Sequence, residues 1–225
     1  MDAGLVASLL GLGVIVGLDV VTVGQVMLGR PFVAATLAGV VCGVPVPAAM
    51  VGALLEAIAL ETMPFGASRY PEWGTAGVTA GVVAALVPDG PGRIVLGVTA
   101  GLLIAWVGAH SMVVLRHRNG RRFLAAEAQF AAGDAAPLGR QMAAGIAGDA
   151  VRAALVTAAG LLLVPVATWL GERWSVDAAT SQAGVLAVAL MVAAAATRQL
   201  FHGAPGARAT FAVALVLATA AVWWR

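Results

Sequence analysis

The sequence predicts an all-α, polytopic integral membrane protein with seven to nine membrane segments, some of them broken or re-entrant. Three observations predict it. Hydrophobic residues make up 61% of the 225 positions and charged residues only 11%, where an ordinary soluble domain carries roughly 25% charged residues. Mean hydropathy is +0.95, and 28 glycines supply small surfaces that let helix backbones approach closely in lipid. Finally, the gaps between charges leave long apolar stretches at 3–18, 31–55, 73–88, 94–115, 153–171, 178–197 and 209–224. Their lengths lie near the roughly 20 residues that cross a hydrocarbon core, once flanking residues are added to the shorter ones. A water-exposed globular fold and a disordered chain are both excluded.

The stretch 3–18 reads as a retained first helix, because Asp2 stands where a signal peptide would carry a basic region. The stretch 31–55 is interrupted by Gly43-Val44-Pro45-Val46-Pro47. Two prolines so close together break a helix interior, so a turn is expected there, joining a segment of 31–42 to another of 48–61. The segment 61–73, with Pro64, Gly66, Pro71 and the charges Glu61, Arg69 and Glu72, is no lipid-facing helix. Irregular backbone at membrane depth is tolerated where it is buried in protein or lines a cavity, and discontinuous helices mark transporter binding sites.

Orientation rests on Arg116, Arg118, Arg121 and Arg122, since cytoplasmic loops accumulate basic residues. The expected plan is a single transmembrane domain, 1–225. It has an N-terminal half (1–115), a cytoplasmic basic loop (116–140) containing a helical hairpin, and C-terminal helices (141–225). Net charge is only +2, and every basic residue is Arg. That is too small an excess for a nucleic-acid surface. Cys42, the one cysteine, reads as a packing residue. Pairs such as Gly13/Gly17, Gly77/Gly81 and Gly97/Gly101 read as intramolecular helix packing.

Soluble-type catalysis has no support: the chain holds no G-x-S-x-G, no Walker A pattern and no H-E-x-x-H. His110 lies within an expected span and reads as a hydrogen-bonded helix residue or a functional one. The strongest signal is Glu56, in the apolar run Gly52-Ala-Leu-Leu-Glu-Ala-Ile-Ala-Leu60. A carboxylate there costs about 2.5–3.5 kcal/mol on insertion scales. Two readings stay open: an ion pair with Arg30 or Arg69, or a ligand for the hydroxyls of a polyol. Asp19 reads as a helix-end residue.

The run Gly24-Gln25 through Arg30-Pro31, followed by Gly52-Ala-Leu-Leu-Glu56 and Met63-Pro-Phe-Gly-Ala67, resembles the IIC membrane subunit of mannose/fructose/sorbose-type sugar phosphotransferase systems. The match is dense over residues 17–90 and looser through Arg152. Pro64 stands where many relatives have Asn, and Glu72 where they have Asp. The resemblance implies a sugar-translocating permease subunit without enzymatic activity of its own and without a cofactor. It implies a IID-type membrane partner and soluble IIB and IIA subunits that relay phosphate, in a bacterial cytoplasmic membrane, with a further copy of the chain as an open option. Carried residue by residue, it makes Gln25, Glu56, Gly66, Ala67, Ser68 and Glu72 the substrate-binding candidates. Arg30, Pro45, Pro47 and Pro64 become structural or gating residues. The alternatives are a regulatory or scaffold protein of the same family that moves no sugar, and an unrelated small-solute permease.

Overall fold

The computed structural model describes residues 1–60, 70–88, 90, 92–173, 177–200, 206, 209, 212–213 and 216–217. The described residues contain helices and no strand. Helix α1 (Ala3–Asp19) starts at Asp2, whose carboxylate accepts the Leu5 N–H at 2.7 Å. Helices α2 (Pro31–Val41) and α3 (Pro45–Ala59) pack against each other as a hairpin. At about 1.5 Å per residue, their 11 and 15 residues are roughly 16 and 22 Å long. Neither crosses a core about 30 Å thick.

The turn between them lies earlier than the prolines suggested. Cys42 ends α2, Gly43 has φ +76°, and the Val44 N–H donates to the Gly39 carbonyl at 2.8 Å. The Gly43 N–H donates to the Val40 carbonyl at 3.0 Å, which completes a glycine helix stop. Pro45 and Pro47 therefore begin α3 rather than form the turn. A first helical turn has no intrahelical acceptor for its N–H groups, so proline costs nothing there.

Helix α4 (Trp73–Leu86) is apolar all round and buried along nearly its whole length. Such a helix belongs in a protein interior. It is enclosed by α1, α2, α3, the long helix α5 (Gly92–Ala125) and α7 (Ala136–Leu161). One core, with Leu9, Val16, Val78 and Val82, fills one side of it. A second, with Val51, Leu55, Ala80 and Ile104, fills the other. The glycine pairs sit in these contacts. Gly17 meets Ala153, Gly77 meets Pro31 and Ala34, and Gly97 meets Val51. They serve packing within the chain.

The expected span 94–115 is only part of α5, which continues through the arginine cluster. A short helix α6 (Glu127–Ala131) and the turn at Gly133 lead into α7, so the basic region is a helical hairpin. The expected span 153–171 corresponds to the second half of α7 and to α8 (Leu163–Arg173). The helix starts well before 153 because Asp149 and Arg152 neutralise each other inside the protein and do not end it. The stretches Gly92–Ala125 and Ala136–Arg173 are each long and apolar enough to cross a membrane. Helix α9 (Ala178–Leu200) follows, capped by Asp177, which accepts the Thr180 N–H at 2.7 Å. Most of the expected segment 209–224 lies outside the described residues.

Candidate functional site

The chain leaves α1 at Asp19 and reaches α2 through a loop wound around that carboxylate. Asp19 Oδ1 accepts the Val26 N–H at 2.8 Å, and Oδ2 accepts the Gly29 N–H at 3.0 Å. Asp19 is buried, and these bonds are its compensation. It closes the loop, as the helix-end reading expected. Tight winding forces Gln25 to φ +52° and Met27 to φ +70°, a left-handed region that non-glycine residues seldom adopt. Strain of this kind collects where a backbone must present particular groups.

Arg30 ends the loop at the N-cap position of α2, but its own side chain makes no cap. Glu56, in the last turn of α3, does so instead. Its Oε1 pairs with the Arg30 guanidinium, and its Oε2 accepts the Phe32 N–H at 3.2 Å. Pro31 has no N–H to satisfy, so Phe32 is the donor that needs a partner. A carboxylate is favoured there by the positive end of the helix. Of the two readings of Glu56, the ion pair with Arg30 is present in the structure.

A cavity of about 310 Å³ opens beside this pair. Asp19, Gln25, Arg30, Tyr70 and Trp73 are among the residues that line it. Tyr70 is 7% exposed, and its hydroxyl has no hydrogen-bond partner among the described residues. Arg116 of α5 stacks over the Tyr70 ring, 5.2 Å from its centroid. The Arg30 side chain is 40% exposed and that of Glu56 20%, so the cation faces the cavity and the carboxylate stands behind it. The structure thus brings Gln25, Arg30 and Glu56 together. Neither Tyr70 nor Trp73 was singled out as a site residue, although two aromatic residues flanking Pro71 and Glu72 in a broken segment were a usable signal.

Glu72 is elsewhere. It is fully buried, and its carboxylate accepts the Thr75 hydroxyl and the Thr75 N–H, capping α4. Its own N–H donates to the Ala105 carbonyl at 3.0 Å. It is not among the residues lining the cavity. Pro64, Gly66, Ala67 and Ser68 lie outside the described residues, as does Arg69. Pro45 and Pro47 stand at the far end of α3. His110 Nδ1 lies 2.9 Å from the Trp106 carbonyl, with its ring against the Trp106 ring.

A second polar centre was not foreseen. Arg152 Nε donates to Asp149 Oδ1 at 2.7 Å, with both side chains almost fully buried. The Thr22 hydroxyl donates to Asp149 Oδ2, and Arg152 Nη1 reaches Ser111 Oγ at 3.5 Å. This cluster ties the loop after α1 and the middle of α5 to α7. Opposite charges three residues apart in an apolar run were the signal for it.

Several solved chains share this fold, among them the following two. One, described as "Structure of membrane protein", has a TM-score of 0.71 at 19% identity, with 97% of this chain and 87% of that one covered. The other, "CryoEM Structure of Mannose Transporter ManYZ and Microcin E492 (MceA) complex", has a TM-score of 0.61 at 18% identity, with the same coverage. No curated protein matches the chain. The family model "PTS system sorbose-specific iic component" matches residues 4–136, more than half of the chain. With the short α2–α3 hairpin, the cavity beside it and the multi-pass helical architecture in place, the chain belongs to this family of phosphotransferase IIC components and is a sugar-transporting membrane subunit.

Proposed function

We propose that the sugar binds in the cavity between the Asp19–Arg30 loop and the Tyr70–Trp73 segment. The observation that carries this reading is that Arg30, held by Glu56, and Tyr70, whose buried hydroxyl has no partner among the described residues, line one 310 Å³ cavity. Ligand pockets combine apolar walls with a few convergent polar groups, and an unmatched buried hydroxyl calls for a partner. Arg30 donates to sugar hydroxyls, Glu56 orients Arg30 and accepts from a hydroxyl when the pair opens, and Gln25 supplies an amide. Trp73 and Tyr70 offer apolar faces to the sugar ring. The residues 66–68 complete the candidate set by family resemblance. Pro45 and Pro47 stiffen the start of α3, and family resemblance adds Pro64 as a structural or gating candidate.

In this reading the chain performs no phosphoryl transfer. Soluble IIA and IIB subunits carry the phosphate, a IID-type subunit shares the membrane, and the assembly sits in a bacterial inner membrane. The family and the ManYZ likeness support association with other phosphotransferase components.

The test is phosphoenolpyruvate-dependent uptake of labelled hexoses and sorbose by cells carrying the chain with its partner subunits. The comparison is with Arg30→Gln and Glu56→Gln at matched membrane levels. Uptake that is lost in both variants supports the site. Binding without uptake in the unaltered protein points to a regulatory member of the family.

A further inference from the structure

We infer that the C-terminal third of α5 binds the phosphate of an anionic phospholipid headgroup. His117, Arg118, Arg121 and Arg122 line one cavity of about 630 Å³, with Val114 as its apolar member. These positions recur at the spacing of one helix face, since residues three and four apart are neighbours. Arg122 is held in place: its guanidinium donates to the Ala144 carbonyl at 3.4 Å, and its own carbonyl accepts from the Gln141 side chain. His117, Arg118 and Arg121 are exposed. Among the described residues, Arg118 and Arg121 have no carboxylate partner. A band of cations on one helix face with no matching acid is a site for an anion.

Two further observations select a lipid over a soluble anion. The first is length. Helix α5 has 34 residues, about 51 Å at 1.5 Å per residue, against a hydrocarbon core of about 30 Å. Arg118 lies roughly 39 Å along it, at the level where the core has given way to headgroups. The second is the face above it. Leu103, Val107 and Val114 are 54, 40 and 68% exposed. At about 100° per residue, they form a seam that leads into Arg118 and Arg121. An apolar seam capped by paired guanidinium forks matches an acyl chain below a phosphate, and Arg binds phosphate bidentately. Juxtamembrane basic residues attract anionic lipid by the same physics.

The experiment is native mass spectrometry of the full chain, released from detergent, with added phosphatidylglycerol or phosphatidylcholine. Preferential retention of phosphatidylglycerol is expected. Arg118→Gln/Arg121→Gln should lower that preference by roughly 25-fold, about fivefold for each arginine near the surface. Arg140→Gln, an exposed arginine outside the cavity, should leave it unchanged. Melting temperature is followed in parallel, and Arg118→Lys/Arg121→Lys, which keeps the charges, should retain most of the preference. Equal binding of the two lipids overturns the proposal, as does an Arg140→Gln loss equal to that of the pair. Inorganic phosphate that binds while phosphatidylglycerol does not compete overturns the lipid assignment in favour of a soluble anion. A preference that vanishes when a membrane protein partner is co-purified assigns the seam to a protein interface and overturns it too.

Discussion

Arg30 and Glu56 join the N-cap of α2 to the last turn of α3, and the same carboxylate caps α2 through the Phe32 N–H. One side chain thus closes the open end of a helical hairpin too short to cross the bilayer. It also holds a cation at the edge of the cavity. The pair is partly exposed, so it can exchange partners without the penalty of a fully buried charge.

Glu56→Gln should separate the structural role of this pair from binding. Gln can still accept the Phe32 N–H, but it leaves Arg30 uncompensated. If the sugar is held by charge-assisted hydrogen bonds, worth about 1.5–3 kcal/mol, affinity should fall on the order of 10–150-fold. Isothermal binding and melting temperature should be measured on the same sample. Lowered stability with unchanged affinity would sink the ligand role.

Gln25→Gly should relieve the left-handed strain at φ +52° and raise stability by about 1 kcal/mol. It also removes an amide from the cavity wall, so sugar affinity should drop as the melting temperature rises. A fall in both would mean that the side chain, not the strain, holds the loop.

Gly108→Ala places a methyl group where a Cβ would lie 2.6 Å from Glu72 Cβ and 3.2 Å from its Oε2. Glu72 is fixed by its cap on Thr75, so it has little room to move. A loss of about 1–3 kcal/mol is expected, the usual cost of overpacking. Thermal unfolding in detergent measures it.

Asp149→Asn leaves the buried Arg152 without its counter-charge and should cost about 3–5 kcal/mol. The double change Asp149→Leu/Arg152→Met removes both charges and should recover a large part of that loss. A double change worse than Asp149→Asn alone would show that the hydrogen bonds to Thr22 and Ser111 matter more than the charge balance.

The 116–140 hairpin should face the cytoplasm. With Cys42 replaced by Ser, a cysteine at the exposed Ala128 should resist an impermeant thiol reagent on intact cells and react after permeabilisation. Labelling from outside would reverse the orientation.

The sequence by itself determined the class of fold, the break in 31–55 and the carboxylate worth watching. Low charge and apolar runs leave helices in lipid as the one way to satisfy the backbone. A lone Glu in such a run must find a partner. Tertiary structure decided the rest, because it depends on which faces meet. Pro45 reads as a breaker until Gly43 is seen to make the turn, after which it is a helix start. Glu72 is a ligand candidate by family resemblance, and in the fold packing against Gly108 buries it as a cap on α4. Charges at 149 and 152 read as the end of a span until their mutual pairing lets α7 run through them. In each case the local signal was present, and its meaning was set by a contact with a helix distant in the chain.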